Sequence, residues 1–300
     1  MYELAKRLAK MVNPLLEPLE AGSATTVSPA PILIVGSPRS GTTLLFQLLV
    51  QHFDVAYLSN LHHAVYGAPV LLERLVPRRF RRPPPRYESR FGVTNGPWAP
   101  SEAGNFWYRF FPINPHAVGP ADFSDEARRR LRRAVGALTR AARRPFVAKN
   151  VVCSVRLEAI AGALPEMRYI VMHRDQFDVA TSILAARREA NGNYDAWWSV
   201  EPVEIDRLRS LPPEEQVVEQ VRAVERSIQE AQVRLGAERF VHVDFPSVAA
   251  DPAGQLALLG TRLGMSRRAS TIPVPASFDE RSRPWIEPEL TTRLQAYLRR

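Results

Sequence analysis

Ile32–Leu49, ILIVGSPRSGTTLLFQLL, constrains the fold more than any other stretch of the chain. Ile32, Leu33, Ile34 and Val35 predict a buried strand that runs straight into a loop of small residues. An apolar segment with helical spacing starts at Thr42 and carries Leu44, Leu45, Leu48 and Leu49. A buried strand, a glycine-bounded loop and a helix N-terminus make a phosphate cradle, because loop N–H groups converge and the helix adds partial positive charge. Gly36 and Gly41 stand where the backbone needs positive φ or close approach to a ligand. The spacing matches the first part of a P-loop, but Thr42 and Thr43 follow Gly41 where a lysine is expected, and the cation, Arg39, lies inside the loop.

Strand and helix patterns alternate along the chain. Strands are predicted at 54–58, 145–149, 168–173 and 240–245, and helices at 42–52, 125–143, about 154–163, after a cap at Asp175, at 214–235, after Asp251-Pro252 and from Pro288. This alternation predicts an α/β fold, one domain over residues 1–300 with a central, mainly parallel β-sheet flanked by helices. Residues 1–20 predict a short amphipathic helix packed on its own domain, followed by a linker at 21–30. Residues 74–90 are basic and proline-rich and predict a surface excursion. The aromatic, glycine-punctuated stretch 91–112 predicts a pocket wall, and 191–213, with Trp197 and Trp198, a lid or substrate loop. The arginines of helix 125–143 predict a solvated face.

A second constellation lies in HRDQFDVATS, where Arg174 ends a strand and Ser182 sits about two turns into the next helix. In an open parallel sheet, ligands lie beyond the carboxyl ends of the strands. A guanidinium fork and a hydroxyl on one strand–helix unit suit a second phosphate. Two anion sites imply a ligand with phosphates at both ends, such as a nucleoside substituted at its 5′ and 3′ oxygens.

With both constellations in view, the chain resembles the sulfotransferases that use 3′-phosphoadenosine 5′-phosphosulfate (PAPS). Further similarity lies in FVAKN (146–150), RLEAIAGALPEMRYIVMHRD (156–175) and FVHVDFPSVAADPAGQLALLGTRLG (240–264), so it covers most of 31–264. The resemblance implies a P-loop NTPase-like sulfotransferase fold, PAPS as cosubstrate, 3′-phosphoadenosine 5′-phosphate (PAP) as product, and no required metal. It also implies that Ser37, Pro38, Arg39, Ser40, Gly41, Thr42 and Thr43 bind the 5′-phosphosulfate, and Arg174 and Ser182 the 3′-phosphate. Lys149 ends a strand at the same edge and by position reaches the sulfuryl or bridging oxygen. Some relatives place a Glu-Thr-Arg base shortly after the second strand, where this chain reads LSNLHH. Glu102, expected against an aromatic wall that would raise its pKa, is the first candidate base; His62 and His63 are the others.

The net charge of +9 is almost wholly arginine, since the only lysines are Lys6, Lys10 and Lys149. That balance suits an anionic ligand, an acidic acceptor or a membrane surface. The single cysteine, Cys153, excludes an intrachain disulfide and a cysteine zinc cluster. No apolar run approaches the ~20 residues of a membrane span, and the charged N-terminal stretch is not a secretion signal, so a cytoplasmic location is expected. The expected partner is a small-molecule, glycan or lipid acceptor, without nucleic acid, with peripheral membrane contact and oligomeric state left open. Two other classes stay in play. A nucleotide kinase or NTPase would need the absent loop lysine and a Mg²⁺-holding acid. A basic binder of nucleic acid or anionic membrane would use 74–90 and helix 125–143.

Overall fold

In a computed structural model the chain is described at residue 13 and over 26–76, 86–269, 272–279 and 284–300. The expected N-terminal helix, most of the 21–30 linker, most of the 74–90 excursion, and Arg281 and Arg283 lie outside the described residues. Five strands form one parallel sheet: β1 (Ile32–Gly36), β2 (Ala56–Tyr57), β3 (Phe146–Lys149), β4 (Arg168–His173) and β5 (Phe240–Asp244). Their order is β2-β3-β1-β4-β5, so the strand that feeds the glycine loop is central. Ile34 of β1 pairs with Lys149 on one side and Ile170 on the other, and Gly36 pairs with Met172.

β1 is apolar at every position because both sheet faces are covered. Ile32 and Ile34 pack against α1 (Thr42–His52), through Leu45, Leu48 and Leu49, and against a late helix over Pro252–Leu263. Leu33 and Val35 face the opposite layer, α5 (Asp125–Ala142), α6 (Leu157–Ala163) and α9 (Pro213–Leu235), through Leu131, Val135, Ile160, Val224 and Ile228. Between these lie α2 (Asn60–Ala64), α3 (Pro69–Leu75), α4 (Gly104–Trp107), α7 (Gln176–Asn191) and α8 (Ile205–Leu208), and the chain closes with α10 (Phe245–Ala250), α11 (Pro252–Leu263) and α12 (Pro288–Leu298). α7, α9 and α12 share a third apolar cluster around Ile183, Leu184, Val217, Val221 and Leu294.

Several boundaries depart from the sequence reading. The strand expected at 54–58 shrinks to two residues, because the Asp54 amide turns to Ser266 O (2.9 Å) and its carboxylate to Arg144. The helix expected near 154–163 splits into a 3₁₀ turn at Val151–Val155, capped by Asn150, and α6. β5 stops at Asp244, whose carboxylate accepts from Ser247 N (3.0 Å) and starts α10. On α5, Arg132 turns inward to Glu166, so the face is not purely solvated, whereas Arg129, Arg133 and Arg140 are exposed. Among the described residues no helix is long and apolar enough to cross a membrane.

Gly36 shows why the loop starts where it does. Its φ is +150°, and an added Cβ would lie 2.6 Å from Met172 O and 2.9 Å from Ser40 Oγ. Its N–H and C=O both bond the Ser154 hydroxyl at 3.1 Å, so the position is pinned from two sides. Gly36→Ala is expected to cost about 2–4 kcal/mol, the sum of overpacking and backbone strain, and to lower Tm by about 5–10 °C in thermal unfolding. A Tm within a degree of the parent would refute this account of the strand end.

Candidate active site

The loop between β1 and α1 closes on itself through Ser40 N to Ser37 O (3.2 Å), and Gly41, at φ +97°, opens α1 without a side-chain cap. The first-turn N–H groups are therefore left for a ligand. Pro38, Arg39, Gly41, Thr42 and Thr43 line a cleft of about 1250 Å³ at the carboxyl edge of the sheet. Ser37 and Ser40 are buried below the loop, off the cleft wall, and their hydroxyls have no hydrogen-bond partner.

Arg39 adopts a left-handed backbone (φ +69°), which swings its side chain across to α7, where Nε donates to Ser182 Oγ at 2.9 Å. Arg174, from the residue after β4, also lines the cleft, and its Nη1 lies 3.4 Å from the carbonyl of Arg39. The two anion sites thus adjoin. The Arg174 guanidinium stacks 4.4 Å from the centre of the Phe245 ring, and its Nε, 3.8 Å from Asp178, makes no hydrogen bond.

Lys149 is not a surface residue. It is 3% exposed at the end of β3, donating to Thr43 Oγ1 at 3.0 Å and to the carboxylate of Glu102. The amine that a P-loop carries after its last glycine therefore comes here from the neighbouring strand, to the hydroxyl two residues past Gly41. Glu102 is brought to it by the backbone: Asn150 Nδ2 donates to Glu102 O (3.2 Å), and Ala103 turns with φ +47°. The stretch 91–112 divides: residues 91–97 and 101–104 line the cleft, as a pocket wall would, while its later aromatics do not. Phe106 and Trp107, directed inward by α4, and Phe110 and Phe111 in the turn that follows are buried in the core cluster that includes Leu33 and Val35. Glu102 faces a lysine instead of an apolar wall.

The two histidines separate. His62 is 2% exposed and absent from the cleft; its Nδ1 meets Ser59 Oγ at 2.8 Å in the capping box of α2, and its Nε2 lies 3.7 Å from Glu73. His63 lines the cleft, with Nε2 3.4 Å from Asn105 Nδ2. Of the two tryptophans, Trp198 reaches the cleft, whereas Trp197 packs against the buried Arg187 guanidinium at 4.9 Å. Residues that sequence reasoning missed include Asn150, Ser154 and Phe245. Asn150 stood beside Lys149 in FVAKN as a visible signal; the others are joined to the site only by long-range packing. Cys153 is fully buried and its thiol pushed up to about 12 by desolvation, with no role in the cleft.

The arrangement combines a cradle of helix-terminal amides, two arginines, a buried amine and a carboxylate in one cleft. The model of the Sulfotransferase family matches residues 31–268. Among solved structures, sulfotransferase STF9 from Mycobacterium avium aligns over 97% of this chain and 71% of its own, at 19% identity and a TM-score of 0.55. Sulfotransferase STF1 from Mycobacterium tuberculosis H37Rv aligns over 88% of this chain and 73% of its own, at 17% identity and a TM-score of 0.51. A comparison with curated proteins found no match. At those identities the structures speak for the shared fold, and the family match spans most of the chain: the protein belongs to the sulfotransferase family.

Proposed function

We propose that the protein transfers the sulfuryl group of PAPS to a hydroxyl, or an amine, of a carbohydrate, lipid or other small-molecule acceptor. The observation that carries this reading is Lys149, buried and held between Thr43 of the loop and Glu102. It joins the donor cradle to a carboxylate able to take a proton.

Donor binding falls to Pro38–Thr43 at the 5′ end, with Arg39 as the cation, and to Arg174 and Ser182 at the 3′-phosphate. Arg174 Nε, which makes no hydrogen bond, fits an anion with several oxygens. Phe245, beside Arg174, lines the same cleft.

In an in-line transfer, Glu102 takes the proton of the acceptor hydroxyl as its oxygen bonds to sulfur. The bond from sulfur to the bridging oxygen breaks, and its electron pair leaves on the nucleotide phosphate. Lys149, Arg39 and the loop N–H groups stabilise the charge that builds there. The ion pair couples the two events. As Glu102 gains a proton it loses its hold on Lys149, which turns its charge to the sulfuryl oxygens. His63, on the same wall, is the alternative base.

PAP is expected to raise Tm by several degrees at millimolar concentration, because a ligand that binds only the folded state stabilises it by mass action. Label from ³⁵S-PAPS should appear in one member of a panel of glycans, lipids and phenols. No thermal shift with PAP would sink the donor assignment, while a shift without any labelled acceptor would leave only the panel wanting.

A further inference from the structure

Five non-glycine residues among those described have φ in the left-handed region: Arg39, Phe91, Ala103, Arg143 and Ser199. All but Arg143 line the cleft. That conformation is unfavourable for a residue with a Cβ and persists only where the surroundings over-determine it. Arg39 and Ala103 belong to the donor loop and the base. Phe91 and Ser199 belong to neither, and they sit beside each other's loops.

Residues 86–93 form a strap across the cleft. One end is tied to α1, by Gln47 Nε2 to Glu88 O (3.0 Å) and Tyr87 OH to His52 Nε2 (2.8 Å). At the other, Arg90 and Val93 exchange backbone hydrogen bonds of 3.0 and 2.9 Å around a tight turn, Phe91-Gly92, with φ +52° and +82°. Gly92 lies directly over the reacting groups. A Cβ there would be 3.2 Å from Glu102 Oε1 and 3.5 Å from both Lys149 Nζ and Thr43 Oγ1, so the glycine, at φ +82°, lets the turn lie close over them without strain. The Phe91 ring meets Trp198 edge-on at 5.9 Å and lies 5.7 Å from the Arg39 guanidinium. Arg90 Nε donates to Glu189 at 3.1 Å.

Glu189 stands on α7, two turns beyond Ser182. The same helix steadies Trp198's loop: buried Arg187 donates to Tyr194 O (3.2 Å), and Gln220 of α9 donates to Trp198 O (3.0 Å). α7 therefore carries a donor-site hydroxyl and one fastening of each aromatic loop, the other fastenings coming from α1 and α9.

We propose that Phe91 and Trp198 form an aromatic gate over the transfer centre that decides whether water or the acceptor reaches the sulfuryl group, an inference that rests on the sulfuryl-transfer reading of the cleft. With the gate shut, the strap covers Glu102, Lys149 and Thr43. With it held open, water can replace the acceptor: its oxygen bonds to sulfur, its proton goes to Glu102, the bridging bond breaks, and sulfate and PAP result.

The test compares the parent with Phe91→Gly, which suits the positive φ, Trp198→Ala, and Phe91→Tyr, which keeps the ring. Sulfate release from PAPS without acceptor, PAP binding, and amide exchange over residues 88–96 are measured on each. Phe91→Gly and Trp198→Ala are expected to raise acceptor-independent hydrolysis by about tenfold, with PAP affinity held within about threefold. Phe91→Tyr should stay within about twofold of the parent. Hydrolysis unchanged or lowered in both opened variants, with PAP still bound, overturns the gate. If the parent does not bind PAP, the donor reading fails and exchange decides. In that case amides at 88–96 exchanging about fivefold faster in Trp198→Ala support the closed strap, and unchanged exchange overturns it.

Discussion

Lys149→Met is expected to lower kcat by about 10²–10³-fold while the variant folds and still binds PAP within a few-fold of the parent. Methionine keeps most of the buried stem and removes the charged, donating amine. The structure names what is lost: the donor to Thr43 Oγ1 and the partner of Glu102. Glu102 keeps about a third of its side-chain surface in water, so it can hydrate once its partner is gone, and the fold is spared an isolated buried charge. Glu102→Gln, which keeps the shape but cannot take a proton, should lose a comparable factor of about 10²–10⁴. The two changes together should lose far less than the product of the single losses, because the pair acts as a unit. Steady-state transfer rates with separate PAP binding isotherms check this. A Lys149→Met enzyme within threefold of the parent would remove Lys149 from the chemistry. A silent Glu102→Gln beside an inactive His63→Ala would move the base to His63.

The legible parts of this molecule were those in which neighbouring residues decide the outcome. Ile32–Val35, apolar at every position, and the glycine-bounded loop declared a central buried strand and its phosphate cradle. Asp175 and Asp251 declared helix starts, and both carboxylates do accept from a first-turn amide, at 3.0 and 2.9 Å. Lys149 at a strand end and Glu102 in a glycine-flanked loop were readable as candidates, but their mutual contact was not. It depends on Asn150 holding the Glu102 carbonyl and on Gly92 leaving room above. The aromatic stretch 91–112 is half legible for the opposite reason. Phenylalanine and tryptophan suit a pocket wall and a core layer equally: Phe91 lines the cleft, whereas Phe106, Trp107, Phe110 and Phe111 enter the core. His62 and His63 differ by one residue on a single helical turn, so one caps the helix and the other faces the cleft.

Arg174→Ala is expected to weaken PAP binding by about 10–100-fold, as charge-assisted hydrogen bonds of about 1.5–3 kcal/mol are lost. Arg174 is mostly covered, its guanidinium 4.4 Å from the centre of the Phe245 ring, so its fork is already held before a phosphate arrives, and little side-chain entropy is left to lose. It also steadies the carbonyl of Arg39, so its removal should loosen the 5′ end of the site as well. Arg174→Lys keeps the charge and loses the planar fork and the stacking, and should recover only part of the affinity. The dependence on pH separates this role from a merely structural one. A monoester phosphate gains its second charge near pH 6, so binding by the parent should tighten as pH rises from 5 to 7. The sign follows from the phosphate, whose second ionisation adds negative charge as pH rises. Without the guanidinium the added charge finds less to bind, and the slope should flatten. Isotherms at four pH values on the parent and both variants decide it. A parallel slope in Arg174→Ala would mean that the 3′-phosphate is held elsewhere, and that Arg174 serves the loop through Arg39 alone.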